Sequence, residues 1–241
     1  MTTTLRVLGN NTPFPAPGRP GSGYLLTTPH TKMLIDLGYA VWPELLRYAH
    51  PNDLDAVWIS HLHPDHCADL FAAYQWAGNV DDARRVTIYG PAGWVDRIGA
   101  ALPYDDGPDR IRRVLDTREH SESGYDVGDL HVTAVPVQHS VPTHGLRVTS
   151  DSGSLAYSAD SGACPALNEL ANGVEVFLCE AGASEQQPFH CTPEEAVAAG
   201  LHAQRLVLTH LSPALTPDEA SQRAGGATVA QPGMVFDCTA S

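Results

Sequence analysis

The stretch His61-Leu62-His63-Pro64-Asp65-His66 places three imidazoles and one carboxylate within six consecutive residues. The residues before it, 54–60, form an apolar, β-branched run, which predicts a buried strand. The residues after it, from Ala68 to Ala77, carry apolar side chains at helical spacing, which predicts a helix. The stretch is therefore expected on a loop between a strand and a helix, where a rigid scaffold can direct several side chains to one point.

The side chains of this stretch are metal ligands by type. Imidazole nitrogens and carboxylate oxygens suit zinc and related divalent metals. Around His63, alternate residues can share one metal ion, while Asp65 and His66 turn toward a second. A polar loop that is merely rich in histidine is the alternative, but four such residues at this density serve no packing or capping purpose. The stretch therefore predicts metal binding, although six residues cannot complete two metal sites.

Three further ligand candidates lie later in the chain, each at the end of a strand-like run. They are His139, after residues 130–137, Asp160, after residues 154–159, and His210, after residues 205–209. Strand ends that meet at one edge of a sheet bring such side chains together. The three residues are therefore expected to join the histidine-rich stretch.

The ordered pattern HxHxDH, then His, Asp and His, resembles the metallo-β-lactamase superfamily, and most closely its ribonuclease Z-like branch of small phosphodiesterases. The similarity extends over most of the chain, from about Leu5 to Ser212. Five further segments are similar to motifs of that branch: Leu8-Gly9 with the Pro/Gly-rich loop that follows it, Gly23-Tyr24-Leu25-Leu26, Leu34-Ile35-Asp36-Leu37-Gly38, Phe189-His190-Cys191-Thr192 and Leu208-Thr209-His210-Leu211-Ser212.

The resemblance implies an α/β fold, specifically a four-layer αβ/βα sandwich, formed by residues 1–241 as a single domain with the metals at one sheet edge. It implies two divalent ions, with zinc expected first and manganese or iron(II) as alternatives. One ion would take His61, His63 and His139, and the other Asp65, His66 and His210, with Asp160 bridging them. Asp36 is expected to hold a ligating imidazole by its far N–H.

The implied activity is that of a dinuclear-metal hydrolase. A metal-bridging hydroxide would attack a small phosphodiester such as a cyclic nucleotide. His190 is the candidate general acid, oriented by Glu180, and Asp65 counts as a catalytic residue as well as a ligand. Thr192 begins a Thr-Pro-Glu-Glu capping box, which explains that threonine without a catalytic role.

Three other functions compete with this one. Ribonuclease Z cuts precursor tRNA with the help of a long arm inserted between the third histidine and the bridging aspartate. Here only 21 positions separate His139 from Asp160, so the arm is missing. A lactone, thioester or β-lactam hydrolase on the same site is disfavoured by His190. A binding module without activity is disfavoured because every ligand is present, although fold alone does not decide function.

Composition limits the partners. The chain has 241 residues and a formal net charge of −14, which argues against an extended nucleic-acid surface and leaves a small anionic substrate, held by the metals, as the expected partner. The five cysteines follow no CxxC spacing and suit a reduced cytoplasm. No apolar run reaches the roughly 18 residues of a membrane span, and no signal peptide is predicted. The resemblance suggests a homodimer.

Two residues and one segment have no settled role in the sequence. Arg19, in the Pro/Gly-rich loop, either meets an anionic group at the mouth of the site or is simply solvated. His144, five residues after His139, either lines the substrate pocket or is an ordinary loop histidine. The charged segment from Asp105 to Ser123 is expected to be solvated surface rather than a mobile flap.

Overall fold

The computed structural model describes residues 2–240, which form two seven-stranded sheets. The strands are β1 Thr4–Gly9, β2 Gly23–Thr27, β3 Lys32–Ile35, β4 Ala56–Trp58, β5 Thr87–Gly90, β6 Asp116–Glu119, β7 Tyr125–Val127, β8 Leu130–Pro136, β9 His144–Ser150, β10 Gly153–Tyr157, β11 Val176–Glu180, β12 Leu206–Thr209, β13 Thr228–Val229 and β14 Val235–Asp237. The helices are α1 Val41–Leu45, α2 Pro64–Cys67, α3 Leu70–Asn79, α4 Trp94–Gly99, α5 Gly107–Val114, α6 Pro165–Ala171, α7 Pro193–Ala199 and α8 Pro217–Arg223, with a 3₁₀ turn at Pro51–Asp53.

Each sheet is antiparallel in one part and parallel in the other. The first has the order β14-β1-β2-β3-β4-β5-β6, and the second has the order β13-β12-β11-β10-β9-β8-β7. Strands β3 to β6 run parallel, as do β10 to β13. Parallel neighbours need crossover connections, and several of these connections contain the helices. The loops after the parallel strands therefore collect at one edge of the sandwich, where a site is expected.

Three apolar clusters define four layers. One lies between the sheets and contains the large buried rings of Trp58, Tyr24 and Tyr157. A second lies between the first sheet and helices α1, α3, α4 and α5, and a third lies between the second sheet and helices α6, α7 and α8. Burial of these apolar faces is the main favourable contribution to folding. The four-layer αβ/βα sandwich expected from the sequence is confirmed.

The elements around the histidine-rich stretch are shorter than the sequence pattern suggests. The strand expected over residues 54–60 covers only Ala56–Trp58, because the chain then leaves the sheet. Half of the stretch is itself helical, since α2 spans Pro64–Cys67 with the proline at its start, a position that proline favours. The predicted helix from Ala68 begins at Leu70 instead.

The charged segment 105–123 lies at the surface, as the sequence predicts, but it is more regular than expected. It contains a regular helix, α5, and an edge strand, β6, rather than solvated surface alone. Only Ile111 and Leu115 bury apolar side chains there, so the hydrophobic signal is weak. Ion pairs with Asp106 from Arg110 and Arg113 cover the outer side of the helix.

Two further observations concern membranes and disulfides. Within residues 2–240 no helix combines the length and the apolarity that crossing a bilayer requires. All five cysteines are free thiols, and four of them are buried. The expectation of a reduced cytoplasm stays a prediction.

Candidate metal centre and active site

Asp36 organises the loop that carries the histidine-rich stretch. One carboxylate oxygen accepts the backbone N–H of Ser60 at 2.7 Å, and the other accepts the Ser60 hydroxyl at 2.9 Å. The second oxygen also lies 2.7 Å from Nδ1 of His66 and accepts the hydroxyl of Tyr157 at 3.0 Å. The buried aspartate thus fixes both ends of the stretch, and the contact with His66 is the one expected from the sequence.

The first group of ligand-type atoms contains His61, His63, His139 and Asp160, all within 4.8 Å of one another. The Nδ1 atom of His63 lies 3.2 Å from Nε2 of His61 and 3.1 Å from Nε2 of His139. In a tetrahedral zinc site, bonds of about 2.0–2.1 Å put neighbouring nitrogens roughly 3.3 Å apart. The convergence of these nitrogens therefore fits one shared divalent ion.

The second group contains Asp65, His66 and His210. The two Nε2 atoms of His66 and His210 are 3.1 Å apart, and a carboxylate oxygen of Asp65 lies 3.3 Å from the second of them. Close packing holds Asp65 in place, because a side chain at Gly38 would collide with its backbone carbonyl. That carbonyl also accepts the backbone N–H of Ser22 at 2.8 Å.

Asp160 contacts both groups, one with each oxygen. Its Oδ1 lies 3.2 Å from Nε2 of His66 and 3.3 Å from Nε2 of His210. Its Oδ2 lies 3.7 Å from Nε2 of His61 and 3.8 Å from Nε2 of His139. Within residues 2–240, Oδ1 is buried and has no hydrogen-bonded partner. A buried carboxylate oxygen without a donor is costly, and a cation held by His66 and His210 would satisfy it.

Backbone strain is concentrated at this edge. Asp36, Ala159 and His210 have φ values of 57°, 53° and 56°, in the left-handed region that side chains other than glycine rarely occupy. Each such residue costs on the order of 1–3 kcal/mol, and strained residues of this kind cluster at functional sites. Ala159 directly precedes the proposed ligand Asp160, and His210 is itself a proposed ligand. The strained backbone therefore sets the positions of Asp160 and His210.

The charge states of His61 and Asp160 suit metal binding, whereas His66 would have to release a proton to bind a metal. Burial alone would lower the pKa of His66, but Asp160 and Asp36 outweigh it and raise that pKa well above its ordinary value. Burial is the main reason why the pKa of His61 lies well below its ordinary value, which favours the neutral ring that ligates metals. Burial alone would raise the pKa of Asp160, but His210 and His66 outweigh it and hold that pKa well below the usual range. The carboxylate is therefore ionised in the site.

Glu180 and His190 form a pair beside the two groups. Nδ1 of His190 lies 2.9 Å from Oε1 of Glu180, which is fully buried at the end of β11. Backbone N–H groups of Ser161 and Gly182 donate to the same carboxylate at 3.0 Å and 2.8 Å. The His190 ring stacks on that of His210, with centroids 5.8 Å apart.

The contact between Glu180 and His190 changes the pKa of each side chain. Burial raises the pKa of Glu180, and its hydrogen bond to His190 reduces that rise. Burial lowers the pKa of His190, but the hydrogen bond and the charge of Glu180 more than compensate, so the pKa is raised. His190 is also within 4.8 Å of Asp160 and His210 as a third possible ligand group. Because Nδ1 is bonded to Glu180, Nε2 is the ring atom that is left to bind a metal or to exchange a proton.

A cavity of about 260 Å³ opens beside this pair. Its wall includes His190 and His210, together with uncharged polar groups of Thr12, Ser184 and Gln187. The Pro/Gly-rich loop contributes Thr12 and Pro13, as the sequence led us to expect for the mouth of the site. The cavity is large enough for a small ligand only, since pockets for drug-sized molecules start at about 300 Å³.

Arg19 and His144 are both placed away from this cavity. Arg19 is exposed and lines a separate cavity of about 420 Å³ with Leu211 and Leu215. The backbone N–H of His144 donates to the carbonyl of Ser60 at 3.1 Å, and its ring packs against His120 with centroids 4.9 Å apart. Neither position gives a direct role beside His190.

His120 supports the site from the protein interior, a contact that the sequence did not reveal. Its Nε2 donates to the carbonyl of Ile59 at 2.8 Å, and its ring stacks on Trp58 with centroids 4.8 Å apart. Burial lowers its pKa to about 3, so the ring stays neutral at physiological pH. It supports the start of the histidine-rich stretch, whereas His131 is exposed and paired with Asp126. No motif surrounds His120, so only its position in the fold identifies it.

Comparison with known proteins places the chain among similar sequences and folds. Residues 31–211 match the family described as "Beta-lactamase superfamily domain". The uncharacterized protein Rv1339 of Mycobacterium tuberculosis is 38% identical over 225 residues, covering 88% of this chain and 82% of that protein. A ribonuclease Z of Mycolicibacterium paratuberculosis is 29% identical over 251 residues, covering 90% of this chain and 88% of that protein.

A solved structure shows the same fold. The metallo-beta-lactamase fold protein YhfI from Bacillus subtilis superposes with a TM-score of 0.85. The match covers 98% of this chain and all of that one, at 24% sequence identity. At this identity the similarity establishes the architecture, and the chemistry has to be argued from the site.

Proposed function

The chain belongs to the beta-lactamase superfamily domain family, and from that premise we propose that it is a dinuclear-metal phosphodiesterase acting on small phosphodiesters. The observation that carries the proposal is the division of the Asp160 carboxylate between two groups of ligand-type atoms. A single carboxylate with one oxygen in each group is suited to bridge two cations. The adjacent Glu180–His190 pair adds a proton donor that simple metal storage would not need.

The residues fit divalent ions by type and by position. We propose His61, His63 and His139 as ligands of one ion, Asp65, His66 and His210 as ligands of the other, and Asp160 as the ligand of both. When bound, divalent ions supply a water nucleophile at neutral pH and neutralise charge on phosphoryl oxygens. Side chains of this chain would bind and orient the substrate and supply the proton for the leaving group. Zinc is the first expectation, and manganese or iron(II) would use the same donors.

His190 is proposed as the general acid. Its Nδ1–H donates to the buried Glu180 carboxylate, which leaves Nε2 to carry the proton for the leaving oxygen. Glu180 raises the pKa of His190 above its ordinary value, which increases the fraction of rings that carry this proton. Because Ser161 and Gly182 hold the carboxylate from the backbone side, the imidazole has a fixed direction. Asp65 is proposed to act as a ligand that also faces the reacting group.

The substrate is proposed to be a small anion. The cavity beside His190 holds about 260 Å³, and the net charge of −14 gives no basic surface for a long nucleic acid. The hairpin of β9 and β10 occupies the chain between His139 and Asp160. There is no room in that segment for the arm that tRNA binding would use. A single domain over residues 1–241, a cytoplasmic location and a homodimer remain proposals of the same account.

One observation favours a second candidate, a tRNA 3′ endonuclease. The relative from Mycolicibacterium paratuberculosis that is 29% identical carries the name ribonuclease Z and matches 90% of this chain. A lactone or thioester hydrolase is the third candidate, since the fold hosts several chemistries. His190 argues against the third, because it would serve best where an alkoxide with a high pKa leaves.

The candidates are separated by a panel of substrates. Purified, metal-loaded protein is assayed with bis(p-nitrophenyl) phosphate, 3′,5′-cyclic AMP, a precursor tRNA and an acyl lactone. We expect kcat/KM for the small phosphodiesters to exceed that for tRNA by about tenfold or more, because the arm and the basic surface are missing. A preparation of Asp160→Ala serves as the control for contaminating activities. Efficient cleavage at a tRNA 3′ end would reverse the ranking.

A further inference from the structure

The loop between β11 and α7 holds Phe189 in a fixed position beside the metal centre. Nε2 of Gln138 donates to the carbonyl of Pro188 at 2.8 Å, and Nδ1 of His139 donates to the carbonyl of Phe189 at 3.0 Å. On the other side, Gly162 packs so closely that a side chain there would collide with Pro188. The backbone of Phe189 is therefore pinned by a proposed ligand and by that ligand's neighbour.

The ring of Phe189 nevertheless remains 41% exposed. It meets the ring of His139 nearly at a right angle, at 87°, with centroids 6.3 Å apart. A single exposed aromatic ring needs no explanation by itself. This one differs because its backbone is fixed at the metal centre and its neighbours in sequence, His190 and Cys191, turn inward.

The loop that carries Phe189 also carries exposed polar side chains, among them Ser184, Gln187 and the acid Glu185. Gln187 and Ser184 contribute to the cavity that His190 and His210 also line. Such groups can hydrogen-bond the edge of a heterocycle or a sugar hydroxyl without demanding a charge. A pinned aromatic ring adds a stacking surface that loses little conformational freedom on binding.

We propose that Phe189 is the stacking platform for the base of a nucleotide substrate, whose phosphate lies at the metal centre one imidazole away. This inference rests on the proposed function as a small phosphodiesterase, and it assigns one residue to the recognition of a nucleobase. The base stacks on the exposed side of the ring, and Gln187 and Ser184 contact its edge or its sugar. Since every base has an aromatic face, Phe189 favours nucleotides as a class over phosphodiesters without a base.

The test compares adenosine 5′-monophosphate with ribose 5-phosphate, which carries a hydroxyl at C1 in place of the base. Calorimetry measures their binding to the metal-loaded protein, so the result does not depend on hydrolysis. We expect the wild type to bind the nucleotide on the order of ten- to a hundredfold more tightly, the usual effect of one stacked base. Phe189→Ala should weaken the binding of the nucleotide alone, so that its two affinities become similar. Phe189→Trp should keep the preference for the nucleotide.

Tyr104→Ala is the matched control, since Tyr104 is 46% exposed but lies beside Arg110 at the outer helices. It should leave both affinities unchanged. Equal affinities of the wild type for the two ligands, or binding of neither, would overturn the platform. If Phe189→Ala lowered the affinities for both ligands equally, the proposed platform would also be overturned, because the ring would then only support the fold. Failure of the proposed function shows separately, as absence of phosphodiester hydrolysis.

Discussion

Asp160→Ala removes both metal binding and activity. Among residues 2–240, this carboxylate contacts both ligand groups, one with each oxygen, so its loss should open both proposed sites at once. Loss of an outer partner of a metal ligand costs about 10- to 100-fold in affinity or activity. Because Asp160 is itself a proposed ligand, we expect its loss to exceed that range. Elemental analysis and hydrolysis of bis(p-nitrophenyl) phosphate measure the two effects.

Two controls make the result of this substitution specific. Asp151→Ala alters an exposed aspartate in the turn between β9 and β10, and it should keep metal and activity. Circular dichroism should show that Asp160→Ala remains folded, since removing the metals does not remove the apolar clusters on both sides of the sheets. A folded Asp160→Ala protein with full metal content and full activity would refute the bridging role.

His190→Ala should lower kcat while both metals remain bound. If Nε2 of His190 delivers the leaving-group proton, the rate falls by about 10²–10⁴, the usual contribution of general acid catalysis. The loss lies in kcat more than in KM, because the proton is needed only in the transition state. An alkoxide leaving from a ribose has a high pKa and suffers most, whereas p-nitrophenolate leaves without a proton. Steady-state kinetics on both kinds of substrate, at matched metal content, measures the difference.

Two other roles of His190 predict other outcomes. As a metal ligand, in the group with Asp160 and His210, its loss would reduce metal content. As a packing residue before α7, its loss would destabilise the protein and lower both rates equally. Thr192→Ala controls for the latter, because it removes the cap of α7, worth about 1 kcal/mol, but keeps the imidazole. An equal rate loss on good and poor leaving groups would exclude the general-acid role.

Local patterns in the sequence predict the ligand-type residues well, and the resemblance to the metallo-β-lactamase superfamily predicts the four-layer fold. The histidine-rich stretch, the strand ends before Asp160 and His210, and the capping box at Thr192 each follow from spacing and residue type. The structure brings every proposed ligand to one sheet edge. Their function as ligands remains a prediction, as do the roles of Glu180 and His190.

Other features depend on contacts between distant parts of the chain. His120 supports the loop at Ile59 across 61 positions of sequence, and no periodicity indicates such a partner. The helix α5 buries only one apolar side chain fully, that of Ile111, and packs Val114 partly against the core. It also carries several ion pairs, so its pattern resembles solvated surface. Phe189 becomes distinctive only when its fixed backbone is seen beside His139. These features appear only when the tertiary structure is known.

A metal titration tests the central claim most directly. Metal-depleted protein receives increasing amounts of Mn²⁺ or Zn²⁺ while hydrolysis of bis(p-nitrophenyl) phosphate is followed. We predict that the rate rises until about two ions per chain are bound and then stays constant, as a two-metal site requires. Full activity in a preparation that elemental analysis shows to be free of metal would contradict the claim.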